Sequence, residues 1–223
     1  PKKLNLPAGI YRYPKPSPSG NDLLVVKESG NAHLGFAYTA EPGIYKFNLK
    51  NEVFEKQTES GENPWWKSDE SGFYYQTGGI VFGSLSKTFE FYSFKDKTSQ
   101  NLCNSKYAGF YAPSPDGKYL AFSELYKVYL MPLPESGKAI PLSGSTQELP
   151  VRCLSEDAGI ALHWSGNETL HWTLGPLYSS LHLPSNGVFT DTLFVKFVRT
   201  DSIKIKLSAN IPNQNLYIKA GRI

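Results

Sequence analysis

The sequence predicts an all-β protein, a β-propeller of four-stranded antiparallel blades, about four of them in this chain. Three observations predict it. Ala112-Pro113-Ser114-Pro115-Asp116-Gly117-Lys118-Tyr119-Leu120-Ala121-Phe122 joins a tight polar turn to a short apolar run. Looser copies recur at Ser17, Ser68 and Ser165, in steps of 51, 46 and 51 residues. A period of that size built from strands is the mark of a propeller or a related array. Finally, no segment combines helical periodicity with start and stop signals.

Each copy reads as a hairpin. In Ser114-Pro115-Asp116-Gly117 the proline presets one backbone angle, the aspartate bonds its own backbone, and the glycine accepts a left-handed conformation. Phe110 and Tyr111 before it and Tyr119 to Phe122 after it are strand formers. A third strand of alternating character follows every hairpin, at Ile44 to Leu49, Phe89 to Phe94, Val128 to Leu133 and Leu177 to Leu183. Outer strands are expected at Val53 to Thr58, Ser99 to Leu102 and Ala139 to Leu142. Four antiparallel strands make one blade. Extra C-terminal strands are expected from Thr192 to Arg199 and Ile203 to Leu207, which alternate without a turn motif, and Pro212 to Asn215 carries linker chemistry. The expected division is a propeller over 1–200 and the start of a second β segment over 201–223.

Composition narrows the function classes. Of 223 residues, 14 are Tyr and 13 Phe, which suits sheets packed face to face. The net charge is +3 and no basic run exceeds Lys2-Lys3, so the clustered basic face of a nucleic-acid binder is not expected. No apolar run approaches the length of a membrane span. Cys103 and Cys153 stand one repeat apart and match no zinc spacing. Buried free thiols are expected, with a disulfide across neighbouring blades as the alternative.

Candidate sites are few. Leu162-His163-Trp164 and Leu170-His171-Trp172 are near duplicates around the turn Ser165 to Glu168. A four-residue loop there pairs 163 with 170, which puts His163 and His171 on opposite faces and favours structural hydrogen bonding over metal ligation. Trp164 and Trp172, like Trp65 and Trp66, are read as packing between blades, with stacking on a sugar or peptide as the alternative. Glu156 and Asp157 are adjacent, so on a strand they diverge. Gly78 to Ser84 lacks the Gly-Lys-Ser/Thr ending of a phosphate loop and reads as a connection. No Gly-x-Ser-x-Gly elbow is present. The expectation is no catalytic residue, metal site or cofactor in this chain.

Ser114 to Phe122 resemble the TolB-like (WD40-like, PD40) β-propeller family, over roughly residues 9 to 184. Leu154 to Gly159, His163-Trp164-Ser165 and Leu170 to Tyr178 are similar to the propeller that precedes the catalytic barrel in a group of bacterial amidohydrolases. Leu207 to Pro212 and Leu216 to Ile223 are similar to the entry of the β-sandwich between them. The resemblance implies a non-catalytic propeller portion of a larger metal-dependent amidohydrolase, framing its entrance or an assembly interface. Any divalent metal would then sit in a downstream barrel, and the partner would be that catalytic domain or another subunit. It implies a periplasmic or secreted location. The alternatives are a protein- or ligand-binding propeller without enzyme activity and the substrate-filtering propeller of a serine peptidase.

Overall fold

The computed structural model describes residues 4–28, 41–78, 86–135, 137–184, 189 and 197–205. It is all-β, four antiparallel sheets arranged as blades. The first blade runs β1 (Tyr11–Pro16), β2 (Asp22–Lys27), β3 (Gly43–Asn48) and β4 (Phe54–Lys56). The second runs β5 (Glu62–Trp66), β6 (Gly72–Gly78), β7 (Lys87–Ser93) and β8 (Thr98–Ser105). The third begins with β9 (Ala108–Pro113), β10 (Tyr119–Glu124) and β11 (Lys127–Pro132). The fourth comprises β14 (Ile160–Ser165), β15 (Thr169–Leu174), β16 (Leu177–His182) and β17 (Arg199–Ser202).

One expected outer strand goes elsewhere. The segment around Ala139 to Leu142 does not complete the third blade. It forms β12 (Ile140–Pro141), which pairs parallel with β8 of the second blade, Ile140 opposite Cys103. The third blade is closed instead by β13 (Arg152–Cys153), antiparallel to β11. Prolines explain the detour. Pro132 and Pro134 lack the N–H groups that would continue β11, and Pro141 is tolerated on an edge strand. Leu142, buried in the core between the second and third blades, anchors the crossing.

Cohesion comes from strand alternation. In β6, Phe73 and Tyr75 join Leu24, Val26 and Ile44 of the first blade in one core, while Tyr74 between them joins Tyr111, Leu120 and Phe122 of the third. Ala112, Ala121, Val128 and Leu130 then face Leu162, Leu170, Trp172 and Leu181 of the fourth. Successive side chains of a strand point to opposite faces, so one apolar run serves two interfaces.

The turns carry the repeat as the sequence suggests. The Ser114 amide donates to Tyr119 O (2.8 Å) and the Gly117 amide to Ser114 O (2.9 Å). Ser114 Oγ accepts from the Tyr119 amide (2.9 Å) and donates to Asp116 Oδ1 (2.7 Å). Gly117 has φ +73°, the left-handed angle the motif requires. The second copy is offset by one residue from the sequence expectation. Lys67, not Ser68, makes the bonds that Ser17 and Ser114 make, donating to Gly72 O (3.1 Å) and accepting from the Glu70 amide. Glu70 therefore occupies the glycine position, at φ +56°. Its carboxylate reaches the first blade and accepts from Ser19 N (2.5 Å) and Ser19 Oγ (3.0 Å). Those two charge-assisted bonds offset the cost of a non-glycine residue there.

Candidate functional site

The sequence-singled histidines come together. The hairpin between β14 and β15 pairs Ser165 with Thr169 and His163 with His171, a three-residue loop rather than four. Gly166, at φ +63°, allows the shorter loop. One residue less in the loop moves His163 and His171 onto the same face, correcting the expectation of opposite faces. Their rings stack at 4.9 Å between centroids, 17° apart. His163 Nδ1 lies 3.1 Å from Ala161 O, and His171 Nδ1 lies 2.9 Å from the Tyr178 hydroxyl. Burial, then the neighbouring His163, lowers the His171 pKa from its ordinary value. Among the described residues no three His, Cys, Asp or Glu side chains converge as a metal site would require.

The tryptophans divide. Trp172 is buried in the core between the third and fourth blades. Trp164 Nε1 donates to Ala112 O (2.9 Å) of the third blade, and Trp66 Nε1 donates to Lys15 O (2.8 Å) of the first. Each staples an inner strand to the blade before it. Trp65 differs: it packs against two blade cores, and its buried Nε1 has no acceptor. Lys15 Nζ lies 3.8 Å from its ring centroid.

Asp116 is held in its turn by Ser114, the Lys118 amide and the Lys118 ammonium. Burial pushes its pKa up, but those donors outweigh it and leave the carboxyl lowered. Glu156 and Asp157 are exposed loop residues between β13 and β14, not strand residues. The two cysteines are free. Cys103 is buried, and that burial pushes its thiol up to about 12. Cys153 is exposed, against the expectation of two buried thiols, because its edge strand β13 has no strand beyond it in its sheet. Of Gly78 to Ser84, only Gly78 lies within the described residues.

One surface feature among the described residues escaped the sequence reading. At the loop end of the second, third and fourth blades a cleft of about 740 Å³ is lined by Tyr107, Phe110, Leu125, Tyr126, Ile160 and Leu162, among others. Leu125 is 65% exposed and Tyr126 75% exposed. They form the two-residue tip between β10 and β11, at φ +46° and +71°. Such tips favour Asn-Gly, because both residues need left-handed backbone. The signal was present as Glu124-Leu125-Tyr126-Lys127 between two strands, a hairpin tip with neither glycine nor asparagine.

This architecture is that of a TolB-like propeller, with an additional parallel strand on the second blade. Neither a family model nor a curated protein matches the chain. Among solved structures it is similar to TolB from Acinetobacter baumannii, at 18% identity and TM-score 0.54, covering 76% of this chain and 40% of that one. It is also similar to an acylaminoacyl peptidase from Pyrococcus horikoshii, at 11% identity and TM-score 0.50, covering 79% of this chain and 31% of that one. At such identities the likeness shows the fold alone, and the chain spans less than half the length of either neighbour. No described helix is long and apolar enough to cross a membrane.

Proposed function

We propose that the chain is the non-catalytic propeller portion of a larger periplasmic or secreted hydrolase, a metal-dependent amidohydrolase. Its loop end docks the catalytic domain. The observation that carries this reading is the tip at Leu125 and Tyr126. Two large apolar side chains stand in solvent on a backbone that disfavours them, beside an apolar cleft. Left-handed backbone costs a non-glycine residue about 1–2 kcal/mol. Local strain of this kind collects at functional positions. Exposed apolar side chains beside a concave surface are typical of a mating face. Asp201 and Ser202 belong to β17 of the fourth blade, so in this reading the start of the β-sandwich falls after Ser202, mostly outside the described residues, and any divalent metal belongs to the barrel beyond. A protein-binding propeller without enzyme activity is the alternative.

The test replaces Leu125-Tyr126 by Asn-Gly. The isolated 223-residue chain should be more stable, by up to about 1–2 kcal/mol for each of the two positions, as strain is relieved. In the longer polypeptide the same change should lower kcat/KM for amide hydrolysis. It should also expose the tip amides to hydrogen exchange, which docking protects in the unaltered protein. Equal protection of the tip in the short and long chains contradicts docking at this face. Docking without hydrolysis supports the binding module instead.

A further inference from the structure

A second concave site lies at the opposite, turn end of the inner strands, where all four blades converge. It measures about 450 Å³, and its walls include Lys15 and Pro16 from the first blade, Trp65 from the second, Pro113 and Pro115 from the third and Asn167 from the fourth. Two features make it more than a crevice. Lys15 Nζ sits over the Trp65 ring at 3.8 Å, and among the described residues no carboxylate pairs with it. The remaining wall is largely proline and indole, flat apolar surface that is rigid before anything binds. A half-buried cation without a counter-ion, held over an indole ring at the wall of a cleft, calls for an acceptor that carries charge.

We propose that this funnel binds a small carboxylate ligand with a flat or apolar body. The carboxylate pairs with Lys15, and the body lies against the indole and proline faces. Burial lowers the Lys15 pKa, as expected of an ammonium lacking its anion, and a bound carboxylate would reverse that shift. Asp116 at the rim is already engaged by Ser114 and Lys118, so it serves the turn rather than Lys15. The site is separate from Leu125 and Tyr126, and its occupancy does not rest on the docking reading.

The experiment is a tryptophan-fluorescence and calorimetric titration of the 223-residue protein. Three probes are used: N-acetyl-L-phenylalanine, its amide, and D-glucuronate. The acid should bind about tenfold tighter than the amide. Lys15→Met should reduce the acid to the affinity of the amide, and Lys15→Arg should retain the preference. Trp65→Phe should remove the fluorescence response. Should Lys15→Met not fold, the Arg variant and the acid–amide ratio still decide. Tighter binding of glucuronate than of the amino-acid derivative assigns the carboxylate to a sugar acid; the reverse assigns it to a peptide terminus. Equal affinity of acid and amide, an unchanged ratio in Lys15→Met, or no binding of any probe at about 10 mM would overturn the proposal. The Leu125-Tyr126 to Asn-Gly variant should bind the acid normally, which separates failure here from failure of the docking reading.

Discussion

The third and fourth blades share a strand plan but differ in what their two faces offer. Equivalent amide-to-carbonyl bonds, Leu133 N to Lys118 O and Leu183 N to Glu168 O, align the two repeats. In that alignment Leu120 matches Leu170 and Phe122 matches Trp172, all buried against the preceding blade. On the other face the match fails. Ala121 becomes His171, Val128 becomes Tyr178 and Leu130 becomes Ser180. His163 and His182 extend this polar face, and Arg199 and Asp201, opposite Ser180 and Tyr178, continue it onto β17. The third blade is apolar on both faces; the fourth is amphipathic. Repeat arrays are capped by units with a polar outer face, because each interior unit needs two apolar interfaces. The difference teaches that, among the described residues, apolar stacking runs from the first blade to the face of the fourth that packs on the third, and the opposite face of the fourth is polar.

The largest effects should fall on the shared inner faces. Phe122→Ala and Trp172→Ala each empty a fully packed position, and each should cost about 3–5 kcal/mol in chemical denaturation. A loss near 1 kcal/mol at Trp172 would mean that the fourth blade is held by something other than this face. The next effect lies in the turns. Gly117→Val forces a branched side chain to φ +73°, costing about 1–2 kcal/mol or more. Asp116→Ala removes turn hydrogen bonds worth about 0.5–1.5 kcal/mol. The glycine variant should therefore have the lower denaturation midpoint, and equal midpoints would contradict the turn geometry.

A smaller effect is expected in acid, where both turns carry a lowered carboxyl, Asp69 in the second blade and Asp116 in the third. The Lys67 ammonium, with Ser71 Oγ and the Ser71 amide, lowers the Asp69 carboxyl from 3.8 to about 2. A carboxyl depressed in the folded state contributes its stability above its unfolded pKa and loses it as pH falls toward the folded value. Stability should thus decline between about pH 4 and pH 2, and Asp69→Asn should flatten that slope. The effect is small because Asp69 is largely exposed and screened. An unchanged slope in Asp69→Asn would place the acid sensitivity elsewhere.

Much of the fold was legible because its causes are local. Ser114 to Phe122 names its own turn and strand, and the aromatic third strands announce themselves by alternation. What stayed hidden depended on offsets of one residue or on contacts between repeats. The loop at Gly166 is one residue shorter than read, and that moved His163 beside His171. Lys67 replaces the expected serine, so Glu70 took a glycine position to reach Ser19. The path of Ile140 and Pro141 to the second blade was invisible because no local rule states which sheet an edge strand will join. Lys15 and Trp65 stand 50 positions apart, and only the convergence of inner strands brings them together.

The central claim is tested most directly by placing one substitution at the two aligned positions, Ala121→Asp and His171→Asp, and comparing their thermal and denaturant midpoints. Ala121 is fully buried between the third and fourth blades, so an aspartate there should cost about 4 kcal/mol or more. At His171, on the polar outer face, the same residue should change stability by no more than about 1 kcal/mol. Equal losses at the two positions would contradict an apolar stack that ends at the inner face of the fourth blade.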